Sequence, residues 1–284
     1  LCAGKGRRMQ ARRTPKVCFP VAGKPAVLHL LEHLDALGVA QNVLVVGHLA
    51  GKVVDEIGPR SPRALFAYQA ELKGTGHATK QGVALLQRMK FDGAILVIAG
   101  DKVVERRALE KLLQTFEREQ PDIALLVAPK ERWPDAGRIV CDANGAVARI
   151  IERADLANAE SKNASFAISG AQRSAGDIES SATRVNQAVY LFRARALFDA
   201  LDTLSTGNVQ KEEYLTDTIE HAVRRGGRVV AVPIDRPNDV LAFNNPEELL
   251  EIEEYFRQKP GSLTSTERVL DPRIFKSPQD WAKR

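Results

Sequence analysis

From Leu1 to about residue 127, short apolar runs alternate with longer stretches in which leucines recur every three or four positions. The short runs, residues 42–46, 64–68, 94–98 and 123–127, have the length and β-branched character of strands. The longer ones, residues 26–37 and 108–119, carry the helical spacing that suits helices covering a sheet. This alternation predicts a parallel sheet with crossover helices. The chain opens at Leu1 inside what reads as a strand, and a glycine-rich stretch, residues 4–16, falls between that strand and the first helix.

The pattern changes after Pro134. Residues 138–141 and 147–152 flank an Asp142-Ala143-Asn144-Gly145 turn and predict an antiparallel hairpin, the start of a smaller lobe. Residues 153–183 are rich in Ser, Ala, Asn and Gly with few large apolar side chains, and read as an excursion or a partly mobile loop. Regular structure resumes with a strand at 189–192, a helix over 214–224, a strand over 228–234 and a helix over 246–256. That last helix has Glu247 and Glu248 in its first turn, where the helix dipole favours acids. From Pro260 the chain reads as an arm. The expected organisation is therefore one α/β domain over residues 1–259, with halves of about 1–133 and 134–259, and a C-terminal arm or linker over 260–284.

Composition narrows the function classes. The 284 residues are 44% hydrophobic and 27% charged, ordinary for a globular chain, and no apolar run approaches the roughly 18 residues of a membrane helix. The three cysteines, Cys2, Cys18 and Cys141, have no paired spacing, which argues against a disulfide framework or a zinc knuckle and fits a reducing cytoplasm. The net charge of +5 is unevenly placed: Lys5, Arg7, Arg8, Arg12, Arg13, Lys16 and Lys24 all precede the first carboxylate, Glu32. Such a cluster attracts polyanions, either a nucleoside triphosphate or nucleic acid. With Phe19 as its one aromatic, and broken by glycines and prolines, the stretch favours small phosphates over nucleic acid.

The candidate chemistry starts in that loop. Glycines let the backbone approach phosphate oxygens, and successive N–H groups can cradle an anion while Arg8 and Lys16 supply charge. Met9 stands where the third glycine of a Rossmann fingerprint would be, and the lysine-serine/threonine ending of a Walker A loop is missing. The opening L-x-A-G-x-G-x-R-M, followed by Pro15-Lys16 and Gly23-Lys24-Pro25, strongly resembles the nucleotide loop of sugar-phosphate nucleotidyltransferases, particularly the bacterial N-acetylglucosamine-1-phosphate uridyltransferases. Tyr68-Gln69 and Leu72-Lys-Gly74-Thr75-Gly76-His77-Ala78 are similar to the segment with which that family holds its base. A glutamine amide offers a donor beside an acceptor, as the edge of uracil does, and Gly74 leaves room for a flat base. Thr75 also reads as a residue near a helix cap.

Further along, an apolar strand ends in Gly100-Asp101, at the strand edge where open sheets place ligands. The resemblance implies a Rossmann-like, mostly parallel open sheet of the nucleotide-diphospho-sugar transferase type with a smaller antiparallel sugar-binding lobe. It implies a triphosphate held by Ala3, Gly4, Gly6, Arg8 and Lys16, with Gln69, Gly74 and Thr75 at the nucleotide. It further implies Mg²⁺ on Asp101 and Asn244, and a sugar held by Gly137, Glu152, Asn186 and Asn244. One carboxylate, one amide oxygen, phosphate oxygens and water suit octahedral Mg²⁺. Glu213-Tyr214-Leu215-Thr216-Asp217 also matches the family, with Asp217 either a ligand or a structural residue.

The implied reaction joins UTP to a sugar 1-phosphate, N-acetylglucosamine 1-phosphate first and glucose 1-phosphate or another hexose phosphate next, releasing pyrophosphate in the cytoplasm. Homo-oligomerisation and fusion to a further C-terminal domain both stay open. There are three departures: Ala99 replaces the aromatic that commonly precedes Gly-Asp and the stretch between Glu152 and Asn186 is long, both of which bear on the sugar, while Lys102 after Gly-Asp puts a cation beside the metal site. The tail Val269-Leu-Asp-Pro-Arg-Ile-Phe resembles the linker into the acetyltransferase β-helix of bifunctional members, but no hexapeptide repeats follow. Two rival readings compete. One is an inactive domain that senses nucleotide sugars. The other is a zinc peptidase on His29-Leu-Leu-Glu32-His33, whose histidines share a helix face.

Overall fold

A computed structural model describes residues 1–6, 9 and 13–258. Arg8 and the expected arm over 260–284 lie outside the described residues. In chain order, β1 (Pro20–Val21) and β2 (Lys24–Pro25) precede α1 (Ala26–Ala36), β3 (Val43–Val46), α2 (Ala50–Ile57) and β4 (Leu65–Tyr68). Next come α3 (Thr75–Arg88), β5 (Ala94–Ile98), β6 (Lys102–Val104), α4 (Arg106–Glu119), β7 (Ile123–Pro129), β8 (Arg138–Cys141) and β9 (Val147–Ile151). They are followed by α5 (Arg153–Ser161), β10 (Ser165–Ile168), β11 (Ala171–Ser174), α6 (Ala175–Ser181), β12 (Arg184–Arg193) and α7 (Ala194–Leu201). The last four are α8 (Asp217–Arg224), β13 (Val229–Pro233), β14 (Val240–Ala242) and α9 (Pro246–Gln258).

These elements fall into two compact units. The first takes Leu1–Leu72, Ala99–Arg106 and the chain from Asn238 onward; the second takes Lys73–Ile98 and Arg107–Pro237. In the first, β3 and β4 run parallel across the crossover helix α2, and Cys2 bridges in parallel to Val46 with its N–H on the Val45 carbonyl at 2.7 Å. α1 buries Ala26, Val27, Leu28, Leu30, Leu31 and Leu34, which accounts for the leucine spacing seen in the sequence. β14 pairs antiparallel with β6. α9 lays Leu249, Ile252 and Phe256 into a core with Met9, Phe19, Val21, Val103, Leu241 and Phe243.

The second unit is a six-stranded mixed sheet ordered β13, β7, β12, β8, β9, with β5 also on β12. The apolar run of β7 is buried from Ile123 to Ala128 because it has strands on both sides, β13 parallel and β12 antiparallel. The hairpin β8–β9 turns where expected: Asp142 Oδ1 accepts from the N–H groups of Asn144 (2.8 Å) and Ala146 (2.9 Å), an Asx-type turn. The fold is thus α/β and Rossmann-like.

Residues 153–183 overturn their expectation. The excursion is regular: α5, the β10–β11 hairpin and α6. Its apolar side chains are few but well placed, since Leu156, Ala159, Ile168, Ala175 and Ile178 pack with Val140, Ala148 and Ile151, and Phe166 covers them. Ser174 and Asp177 form a reciprocal capping box at the start of α6. Composition averaged over the stretch hid this small core.

Candidate functional site

In the first unit the residues expected to hold phosphate lie at the start of the chain, which bridges to β3 at Cys2. Gly100 donates its N–H to the Leu1 carbonyl at 2.8 Å. A Cβ at Gly100 would lie 2.6 Å from Cys2 Sγ and 2.7 Å from that same carbonyl oxygen. Only glycine permits this approach, and it brings the next residue, Asp101, alongside the start of the chain. Ala3 is buried and its carbonyl accepts from the His48 N–H at 3.1 Å, while Gly4 is exposed. Gly6, with φ of 58°, turns the chain so that the Met9 N–H reaches its carbonyl at 3.0 Å.

Lys16 opens a short 3₁₀ turn, and its ammonium donates to Asp101 Oδ2 at 2.5 Å and to Asn244 Oδ1 at 3.1 Å. Three residues 228 positions apart at the extremes thus meet at one point. Burial by itself would raise the Asp101 carboxyl, but the ammoniums of Lys16 and Lys102 outweigh it and hold the group below the usual aspartate range. Lys102 in turn is pulled below the lysine range by burial and by Lys16, against the pull of Asp101 and Glu248. Gln69, just past β4, is 3% exposed, and its N–H donates to the Val46 carbonyl at 2.8 Å.

The second unit holds the remaining predicted residues. Gly74 has φ of 105°, and a Cβ there would meet the Glu213 carbonyl oxygen at 2.6 Å, so the space that this glycine leaves is taken by the 213 backbone. Thr75 starts α3, and its hydroxyl accepts from the Leu215 N–H at 3.0 Å. Gly137 accepts from the Asn186 N–H at 2.9 Å. Asn186 sits at a bulge of β12, where its Oδ1 accepts from the Ala188 N–H (2.9 Å) and its Nδ2 donates to the Tyr190 hydroxyl (2.5 Å). Glu152, at the start of α5, accepts from the Thr216 hydroxyl at 2.9 Å. Burial raises its carboxyl, and the carboxylates of Asp155 and Asp217 push the same way, against the relief from Thr216.

Several residues escaped the sequence. Thr216, which donates to Glu152, lies in the 213–217 motif without being singled out there, and Tyr190, which accepts from Asn186, is a strand hydroxyl with no local pattern to mark it. Glu248 contacts Asn244 directly; its signal was the spacing Asn245-x-x-Glu248 ahead of an apolar helix. The peptidase reading fails. The ring of His29 is hydrogen-bonded to the Val21 carbonyl and that of His33 to the Val104 carbonyl, each at 2.8 Å, while Glu32 pairs with Lys24. Burial drives His29 down to about 4. Among the described residues, no three His, Cys, Asp or Glu side chains gather to hold a metal. No helix among them is long and apolar enough to cross a membrane.

The nucleotidyl transferase family model matches residues 1–241, and the chain belongs to that family. Among curated relatives it is similar to the "Bifunctional protein GlmU" of Lactococcus lactis subsp. lactis, 35% identical over 91% of this chain and 51% of the relative. The protein of that name from Pelotomaculum thermopropionicum is 32% identical over 96% of this chain and 55% of the relative. The chain therefore spans about half the length of these relatives. Two solved structures share the fold. An apo UDP-glucose pyrophosphorylase superposes with a TM-score of 0.68 at 16% identity, over 90% of this chain and 96% of its own. A putative glucose-1-phosphate thymidylyltransferase from Bacillus anthracis gives 0.64 at 15%, over 91% and 94%.

Proposed function

We propose that this chain is a sugar-1-phosphate nucleotidyltransferase that joins UTP to a sugar 1-phosphate, N-acetylglucosamine 1-phosphate first among candidates, and releases pyrophosphate. The observation that carries this reading is the convergence of the Asp101 carboxylate and the Asn244 amide oxygen on a single cation, the ammonium of Lys16. Two oxygen donors that already hold a positive charge between them have the chemistry of a hard-cation site, so the residues fit Mg²⁺. Asp101 and Asn244 would hold the ion. When bound it neutralises phosphate charge and helps to align the reacting groups.

The protein's own part is alignment and charge. The glycine loop offers backbone N–H groups to the triphosphate, with Ala3, Gly4, Gly6, Arg8 and Lys16 as its phosphate residues. By resemblance to the family, Gln69, Gly74 and Thr75 are the candidates for holding the nucleotide, and Gly137, Glu152 and Asn186 those for the sugar. The sugar phosphate oxygen attacks the α-phosphorus in line, and pyrophosphate leaves. That oxygen is anionic near neutral pH, so no side chain need take a proton from it, and catalysis rests on positioning and electrostatic stabilisation.

The test is a pyrophosphate-release screen crossing four nucleoside triphosphates with a panel of sugar 1-phosphates. Turnover is expected with UTP, and N-acetylglucosamine 1-phosphate should exceed glucose 1-phosphate. Asp101→Ala should nearly abolish turnover in a folded protein, and Gln69→Ala should relax the preference for UTP. Full activity of the Asp101 variant refutes the metal assignment, and nucleotide binding without turnover on any sugar phosphate points to a sensor.

A further inference from the structure

We infer that Glu248 is a positioning residue for the cation site, fixing which end of the Asn244 amide faces the ion; this rests on the reading of Asp101 and Asn244 as cation ligands. A side-chain amide has nearly the same shape either way round, with an acceptor oxygen at one end and two donors at the other. Only one orientation helps a cation. Asn244 donates its backbone N–H (2.6 Å) and its Nδ2 (3.2 Å) to the same oxygen, Glu248 Oε2. The Oδ1 is left 3.1 Å from the Lys16 ammonium. A flipped amide would set Oδ1 against a carboxylate, which has nothing to donate, and turn its N–H groups toward a positive charge. Both ends therefore select one orientation.

Glu248 is itself held from the opposite side. Its Oε1 accepts from Asn245 Nδ2 at 3.0 Å, and its N–H donates to Asn245 Oδ1 at 2.8 Å. This is a reciprocal capping arrangement at the N-terminus of α9. One carboxylate oxygen thus serves the helix end and the other serves the ligand. The rigid first turn of α9 becomes the reference that fixes the amide, as outer partners fix metal ligands elsewhere.

The test is Mn²⁺ binding with UTP present and no sugar phosphate, read from the free-ion EPR signal, for wild type, Glu248→Ala, Glu248→Gln, Asn245→Ala and Asp101→Ala. Glu248→Ala should weaken Mn²⁺ about tenfold. Glu248→Gln, which keeps one oxygen for Asn244, should recover most of that affinity. Asn245→Ala removes the cap but leaves Glu248 on Asn244, so it should lower the melting temperature as Glu248→Ala does yet leave Mn²⁺ affinity within about twofold. Equal losses of affinity in Glu248→Ala and Asn245→Ala, or none in Glu248→Ala, overturn the inference. An Asp101→Ala protein that binds Mn²⁺ as tightly as wild type overturns the underlying site as well. Should Glu248→Ala not fold, Glu248→Leu, which keeps the bulk but removes both oxygens, takes its place: weaker Mn²⁺ binding in Glu248→Leu than in Asn245→Ala supports the inference, and equal binding in the two overturns it.

Discussion

Ala188 holds a φ of 53°, in the left-handed region where a Cβ costs roughly 1 kcal/mol or more. It lies in the bulge of β12, next to Asn186, whose side chain accepts its N–H. Ala188→Gly should therefore stabilise the fold by about 0.5–1 kcal/mol in urea unfolding; a loss of stability would show that the bulge is not strained. Asp217, in the first turn of α8, tests burial differently. Burial pushes its carboxyl up to about 6, against relief from Arg149 and with Glu220 and Asp155 adding to the rise. A carboxyl raised in the fold adds its stability fully below the unfolded value of about 4, and loses it as pH rises through the folded one. Asp217→Asn should accordingly melt higher than wild type at pH 8, with the advantage shrinking by pH 5. A pH-independent difference would refute the ionisation argument.

Among the elements, 153–183 makes the sharpest claim. Leu156 is 1% exposed and lies in the small core that α5, the hairpin and α6 share with β8 and β9. Leu156→Ala should cost about 2–5 kcal/mol, and limited proteolysis should then cut within 161–172, where wild type resists. Equal protease resistance in both would show that this core does not hold the segment. Elements with a strong period were legible in the sequence: β5 and the hairpin β8–β9 fall where expected, and α1 and α9 within two residues. The segment 153–183 was not, because its apolar residues are spread thinly and their partners come from distant strands. Asp101 and Asn244 were found through motifs, and Lys16 through its charge. Their meeting depends on pairings such as β14 with β6, which no local pattern encodes.

For the whole molecule, the first unit is assembled from three stretches of chain, whereas the second occupies residues 73–237 with one short interruption. A polypeptide made from its N-terminus completes the parts of the second unit before β14 and α9 exist. Lys16 and Asp101, which meet Asn244 in the fold, therefore wait during synthesis for Asn244 and the helix α9 that follows it. A chain stopped at residue 237 should show helix and strand by far-UV circular dichroism yet bind no UTP; tight UTP binding by that fragment would contradict this assembly order. Nascent chains released before residue 238 would thus lack Asn244, one of the two oxygen donors to which the proposed function assigns the cation.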